Sequence, residues 1–559
     1  MYEHYQQMVK DTEARVKKTL RIQNMNKGSA HYGAVPEDSG IYQAKSTIYK
    51  LTALIAAYVN KDSLFRGDFE LIKRINACLD YIEACQHDNG LFDYVTCNFF
   101  SAPDTAFCIK KLVPTYELLK TMRSGECGKY ADLSLNETLD TIFKRIDNIV
   151  CLGAKGLLQG GFHTPNHRWA IASMLAYCGM LFNDPSLTEG ANIYLSEGID
   201  CNDDGEFSEK SAGNYNRINN DAMIMLSEAF KDDSYEQYAI RNLRMMLTYF
   251  EPDDSVFTAN STRFDKDRLI FPKDYYLEYL KMGLRHDIPE FLDMANHIFE
   301  TVREKGISSP DFLTQMMLNP QWIDLDHIGS GYPTDYSVFY RGSSIARRRR
   351  GDLSFTVLGG KSNFLYVHNR SIKLEMKVAG SFCEHRVFKS ETMERREDGA
   401  YVLKQTMRGW YYLPFSEKPE TSDWWKMDNA SREKKLGPDM QIEVVVKEAE
   451  NVVDVFVKTS GVNGAPWRIE LAFSGIDRIS NDHMSIPVHG DEVLVLRDST
   501  FEALNREDVL TVGPAFGKHE FTEGKEDSEA KNPGSATVYL TDYTPFEHTI
   551  SIRNGKAIL

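Results

Sequence analysis

GGFHTPNHRWAIASMLAYCGMLF, residues 160–182, sets two histidines, an asparagine and an arginine just ahead of an apolar run. The run has helical spacing. His167, Ile171, Met174, Cys178 and Leu181 recur at steps of three and four, which predicts a helix over 166–182 with an apolar stripe on one side. Thr164 suits the N-cap and Pro165 the first helical position. Unpaired backbone N–H groups and the positive end of the helix dipole then face His163, Asn166 and His167, an arrangement suited to an anion.

A polar loop leading into a helix is the unit that the N-terminal half repeats. Roughly twelve helical patterns occur, at 2–20, 43–60, 67–86, 104–123, 133–150, 166–182, 187–197, 219–231, 234–250, 271–283, 288–305 and 309–317. Gly-, Asn-, Asp- and Ser-rich segments such as HDNGLFDYVTCNFFSAPD and DCNDDGEFSEKSAGNYNRINN separate alternate helices. Near residue 325 the period changes to two, in SFTVLGG, SIKLEMKV, QIEVVVKE, NVVDVFVKTS and WRIELAF, with turns such as EDGA and VNGAP between strands. The expected fold is multidomain α+β: an N-terminal (α/α)6 toroid over 1–325 followed by a C-terminal antiparallel β-sandwich over 326–559. In a toroid of helical hairpins the long loops gather at one mouth, where function is expected.

With 559 residues, 42% hydrophobic and 26% charged, the chain reads as a globular protein of more than one domain. A net charge of −16 argues against nucleic acid or an anionic membrane as partner, and an anionic sugar would need a local basic pocket. The first twenty residues lack the apolar core of a signal peptide and no run is long enough to span a bilayer, so a cytoplasmic location is expected. Nine cysteines without a CxxC pair, among them Cys78, Cys108 and Cys178 in apolar segments, suggest reduced core thiols. The sequence sets no oligomeric state.

Asn166-His167 at a helix start, followed by DGEFSEKSAGNY ending at Tyr215, within a helical half that precedes a β half, resembles the heparinase II/III-like and related polysaccharide lyases. The resemblance implies β-elimination on a uronic-acid-containing oligosaccharide or polysaccharide. Asn166 or His167 would neutralise the uronate carboxylate and Tyr215 would be the catalytic tyrosine. Tyr215 stands in an Asn-Tyr-Asn context rather than a Ser-Tyr-His-like one, so His163 stays a second candidate base. FHTPNHRW and NFFSAPDTAF look most like enzymes that act on rhamnose and glucuronate, which implies release of rhamnose from glucuronate.

The chemistry sets its own demands. The C5 proton of a uronate is weakly acidic because the adjacent carboxylate is already negative, so that charge must be offset while an enediolate-like anion develops. A base and an acid must reach C5 and O4. A tyrosine can serve if a cationic field lowers its pKa from about 10, and Arg217, two residues from Tyr215, is expected to supply that field from the same loop. Arg168 lies beside the Asn166-His167 pair, and Asn98, Asp104, Asn219 and Arg263 occupy comparable inter-helix loops as candidate sugar-binding residues. Tyr336, Tyr340 and His385 are the candidates from the β half.

Asp200, Asn202, Asp204 and Gly205 open like a calcium loop, but Ser211 stands where a bidentate glutamate is required. No cofactor is required by the reading, and a divalent cation such as calcium, held partly by Glu206 or Glu209, is kept as an option. In ARRRRGD, 346–352, a strand would alternate four arginines between two faces, for carboxylate binding or ion pairs. Two other readings compete: a toroidal glycoside hydrolase acting on uronides, with Asp104, Asp204, Glu206 and Glu209 available, and a non-catalytic sugar-binding protein. Trp410, Trp424 and Trp425 would serve the latter, although a buried sandwich core accounts for them equally.

Overall fold

A computed structural model describes residues 1–125, 129–132, 136–326, 329, 331–449, 452–521 and 530–556. The chain divides into two compact units. One comprises Met1–Leu247 and Val256–Tyr332, the other Thr248–Ser255 and Pro333–Leu559.

The first unit is helical: α1 (Tyr2–Ile22), α2 (Ala44–Val59), α3 (Phe69–Cys85), α4 (Ala102–Ser124), α5 (Asn136–Leu157), α6 (Pro165–Phe182), α7 (Pro185–Leu195), α8 (Tyr215–Phe230), α9 (Glu236–Leu247), α10 (Tyr276–His286), α11 (Pro289–Glu304), α12 (Leu313–Leu318) and α13 (Pro320–Ile323). The helices α2, α4, α6, α8 and α10 pack side by side in that order, and α12 lies against α4 and α1. Each of α3, α5, α7, α9 and α11 returns against the inner helix before it. Composition explains the two layers. In α6 every position from Asn166 to Gly179 except His167 is buried, so the helix is enclosed on every side and the expected single stripe is replaced by burial all round. α11 instead buries Phe291, Met294, Ala295, Ile298 and Val302 along one face, as an outer helix should. Met1 donates from its ammonium to the Leu325 carbonyl at 3.1 Å, joining the first and last turns of this unit. Cys78, Cys108 and Cys178 are buried and free. No helix among the described residues is long and apolar enough to cross a membrane.

The second unit is a β-sandwich. One nine-stranded sheet runs from Met484–Pro487 to Thr392–Arg395, the other from Val493–Val495 to Asp335–Tyr340. All pairings within the two sheets are antiparallel except Val493–Val495 against Ala536–Tyr543. Phe355, Val367, Leu374 and Met376 of one sheet and Met440, Ile442, Val444 and Val455 of the other fill the shared core.

The arginine run forms the strand Ile345–Arg350 and alternates as a strand must. Arg347 and Arg349 are buried, while Arg348 and Arg350 pair with Glu448 on the other face. Arg347 donates through Nε to the Thr248 carbonyl at 2.8 Å and through Nη1 to Glu251 at 2.8 Å. Ser354 and His368 also reach the Glu251 carboxylate. Burial alone would push that carboxyl up, but Arg347 and His368 hold it far below the usual carboxylate range. The segment Thr248–Ser255, which follows α9 in the chain, is thereby built into the β unit.

Candidate active site in the helical unit

The site is built where the loop 200–214 meets the starts of α6 and α8. Gly205 lets that loop lie against α9: its φ is +95° and a Cβ there would stand 2.5 Å from the Arg241 carbonyl. Asn242 donates to the Gly205 carbonyl at 2.8 Å and accepts from Asn220 of α8 at 2.9 Å, which fixes the loop between two helices.

Glu209, 1% exposed, is the centre of the arrangement. Its carboxylate accepts from the Asn166 backbone N–H at 3.0 Å, from Asn166 Nδ2 at 2.8 Å and from Arg263 Nε at 2.7 Å. The start of α6 does bind an anion, and the anion is the protein's own. Thr164 occupies the N-cap, but its hydroxyl accepts from the Asn166 side-chain amide at 3.1 Å and caps no backbone N–H; Glu209 satisfies that donor instead. Asn166 is therefore committed to Glu209 rather than open to a substrate carboxylate. Arg263 is held by one edge only: no hydrogen bond reaches its Nη groups among the described residues, and a third of the side chain is exposed.

Two more cation–carboxylate pairs are built from the same loops and helix starts. Lys45 of α2 meets Asp104 of α4 at 2.9 Å and lies 5.1 Å from the Phe107 ring centre. Lys210 meets Glu206 at 3.1 Å, and Asn260 donates to Glu206 at 2.6 Å. Asp200, of the calcium-like loop, accepts from the Trp169 indole at 2.6 Å and from Ser208. No group of three or more His, Cys, Asp or Glu side chains suited to a metal occurs among the described residues.

Tyr215 is the first residue of α8, not part of the loop before it. Its N–H donates to Ser211 Oγ at 3.0 Å and its ring meets Phe264 edge-on at 5.7 Å. Burial, with Glu209, pushes its pKa above the ordinary tyrosine value, while Arg263 and Lys45 pull it down. The phenol is thus protonated at neutral pH. Arg217 does not play the expected part: it lines a cavity of about 440 Å³ with Asp274 and Glu278. The cations acting on Tyr215 come from α2 and from the loop after residue 256.

His167 is half-buried, edge-on to His163 at 4.6 Å and to Phe107 at 5.8 Å. Burial pushes its pKa down to about 4; His163, Lys45 and Arg263 add to the effect and Asp104 opposes it. It is a neutral imidazole at pH 7 whose buried Nδ1 has no partner. His163 is exposed and borders a surface pocket with Phe99, Phe100 and Phe162.

The remaining candidates divide. Arg168 points away from this cluster, donating to the Tyr194 and Gly198 carbonyls and pairing with Glu197 at 3.0 Å. Asn98, with φ +52°, is the turn of the hairpin Phe92–Tyr94 and Phe99–Ser101. Asn219 is fully buried in α8 with neither amide atom bonded. Tyr336 donates to the Thr248 carbonyl at 2.7 Å, Tyr340 shares a bond with Thr248 Oγ1 at 3.0 Å, and His385 packs against Phe382, all within the β unit. Lys45 and Lys210 were not singled out from sequence, and Glu209 was read only as a metal or hydrolase candidate. Lys45 and Glu209 find partners 59 and 43 or more positions away, so no local motif marks them.

No protein-family model matches the chain, and no curated protein sequence does. Solved structures do. Xanthan lyase from Paenibacillus matches with a TM-score of 0.57 and 10% identity over 99% of this chain, which spans 57% of that enzyme's length. Chondroitin AC lyase from Streptomyces coelicolor A3 matches with a TM-score of 0.52 and 11% identity, covering 99% of this chain and 80% of the other. At such identity the likeness concerns the fold: this chain has the helical toroid and β-sandwich of these polysaccharide lyases.

Proposed function

We propose that the protein is a polysaccharide lyase that cleaves a uronate-bearing glycan by β-elimination. The observation that carries the reading is Arg263, anchored through Nε by buried Glu209 and open at its Nη edge, with the protonated phenol of Tyr215 and the neutral imidazole of His167 built into the neighbouring helix starts. Arg263 would take the uronate carboxylate in the two-pronged manner that guanidinium favours and offset the charge that makes C5–H weakly acidic. The neutral His167, or His163 in its place, would accept the C5 proton. Tyr215, protonated, would deliver a proton to the departing O4, leaving a 4,5-unsaturated uronate. Asn166 serves here by fixing Glu209 and through it Arg263. Release of rhamnose from glucuronate is the finer substrate assignment under this reading, and at a cytoplasmic location the substrate would be an oligosaccharide.

A hydrolytic reading has one observation in its favour. Glu278, 4% exposed, lines the same cavity as Arg217 with Oε2 unbonded. Burial, with Asp221, pushes its carboxyl well above the usual range against Arg217 and Lys110, the state a general acid needs.

A panel of uronate glycans tests the two readings together. Elimination generates ultraviolet absorbance from the new C=C conjugated to the carboxylate, and this absorbance is expected to rise with time and to be lost in Tyr215→Phe. New reducing ends without the absorbance, abolished by Glu278→Gln, would establish hydrolysis instead.

A further inference from the structure

The strands Tyr401–Tyr412 and Lys434–Ala449 pair as a hairpin, with Trp410 opposite Leu436, Tyr411 opposite Lys435 and Tyr412 opposite Lys434. The pairing shifts register between Arg408 and Trp410, where Gly409 and Gly437 face each other, and beyond this bulge the burial of the strands ends. The distal arm is unusually apolar for its exposure. Trp425 is 92% exposed, Tyr411 69%, Leu436 63% and Trp424 49%. Of the two readings of Trp410, Trp424 and Trp425, a place in the sandwich core does not hold for Trp424 and Trp425; among the described residues the tryptophan buried in that core is Trp467.

Cations are interleaved with these rings. The Lys434 ammonium lies 3.7 Å from the Trp410 ring centre and 5.4 Å from that of Tyr412. The Arg432 guanidinium lies 4.6 Å from Tyr412, 4.7 Å from Phe415 and 5.9 Å from Trp424. Arg432 is further tied to the Leu413 carbonyl through Nε and Nη2, which leaves Nη1 unbonded among the described residues. The ring faces attract these cations and hold them in place, and Lys434 is exposed. Exposed aromatic surface of this extent marks a binding site.

We propose that this arm is a second glycan-binding surface, which holds an acidic polysaccharide by stacking sugar faces on Trp424 and Trp425 and pairing uronate carboxylates with Arg432 and Lys434. A pyranose has an apolar C–H face that matches an indole and a polar edge that needs donors, and the arm supplies both. The charge pattern selects the occupant. A carboxylate-bearing chain meets the ring-held cations of Arg432 and Lys434 directly, and its pyranose faces match the exposed indoles of Trp424 and Trp425. The proposal rests on the lyase reading only in its choice of a uronate glycan.

Native gel electrophoresis tests it, with hyaluronan or neutral dextran cast in the gel and the full chain carrying Tyr215→Phe so that turnover does not consume the matrix. Retardation is expected in hyaluronan and not in dextran. Trp424→Ala with Trp425→Ala is expected to weaken it by about tenfold or more, as loss of aromatic anchors does. Arg432→Gln with Lys434→Gln is expected to weaken it similarly, with the circular dichroism of both variants unchanged because the replaced side chains lie outside the core. Equal retardation of parent and variants overturns the proposal, as does equal retardation in dextran. A concentration-dependent dimer in sedimentation velocity that the tryptophan variant abolishes overturns it too, in favour of a second copy. Arm-dependent retardation of a protein that shows no elimination on any glycan leaves the arm standing and sinks the lyase reading alone.

Discussion

Tyr215→Phe removes one hydroxyl and leaves the ring against Phe264, so the melting temperature should hold while kcat falls by about 10²–10⁴, the usual worth of a positioned acid. Unchanged kcat would remove Tyr215 from the chemistry. Arg263→Gln takes away the carboxylate clamp and leaves Glu209 buried with amide partners alone; kcat/KM should collapse, and Arg263→Lys should restore it poorly because a lysine cannot offer a two-pronged edge. The histidine sets the pH dependence. Burial keeps His167 neutral down to about 4, so if it accepts the C5 proton the acid limb of kcat/KM should bend near 4 rather than 6.5. Stability has the matching sign. The unfolded chain binds a proton at His167 below about 6.5 that the folded chain refuses until about 4, so folding weakens as pH falls through that interval. At this scale the sequence was half legible. Asn166 and Tyr215 sit in local motifs that the sequence displays, but the groups around them, Glu209, Arg263 and Lys45, are brought there only by the fold. Arg217 was misread for the same reason: two positions along a helix point to different faces.

The elements were legible because their periods are strong. Helices α1 to α11 lie where the helical spacing places them, although α6 is buried all round rather than along one stripe, and the strands follow alternation. The exceptions have physical causes. SAGNYNRINN is rich in turn formers, which masks the start of α8, where Ser211 accepts from the Tyr215 N–H and Asn214 is the N-cap. The hairpin arm at 409–437 alternates like the rest of the sheet, so periodicity could not tell its exposed rings from core ones. Two substitutions test how elements hold the site. Gly205→Ala puts a Cβ against the Arg241 carbonyl at positive φ and should cost at least about 2 kcal/mol in denaturant melts, with loss of activity as the Glu209 loop shifts. Arg347→Met strands buried Glu251 and should cost about 3–5 kcal/mol; a loss below about 1 kcal/mol would mean the network contributes little.

For the whole molecule, the change of period near residue 325 separates helical from β sequence, yet Thr248–Ser255 lies before it in the chain and within the β unit in space. Alternation cannot reveal such an exchange, since Glu251 shows no pattern of its own. A piece beginning at Pro333 lacks the partners of Arg347, Arg349 and Tyr336, and should melt well below the intact chain or aggregate. The common fold with two lyases leaves the reaction itself as the central claim, and mass spectrometry of the fragments tests it most directly. Elimination adds no water, so the new non-reducing end is expected to be lighter by one water than a hydrolytic fragment, and its C5 to carry no hydrogen. Fragments that have all gained the elements of water would contradict the account.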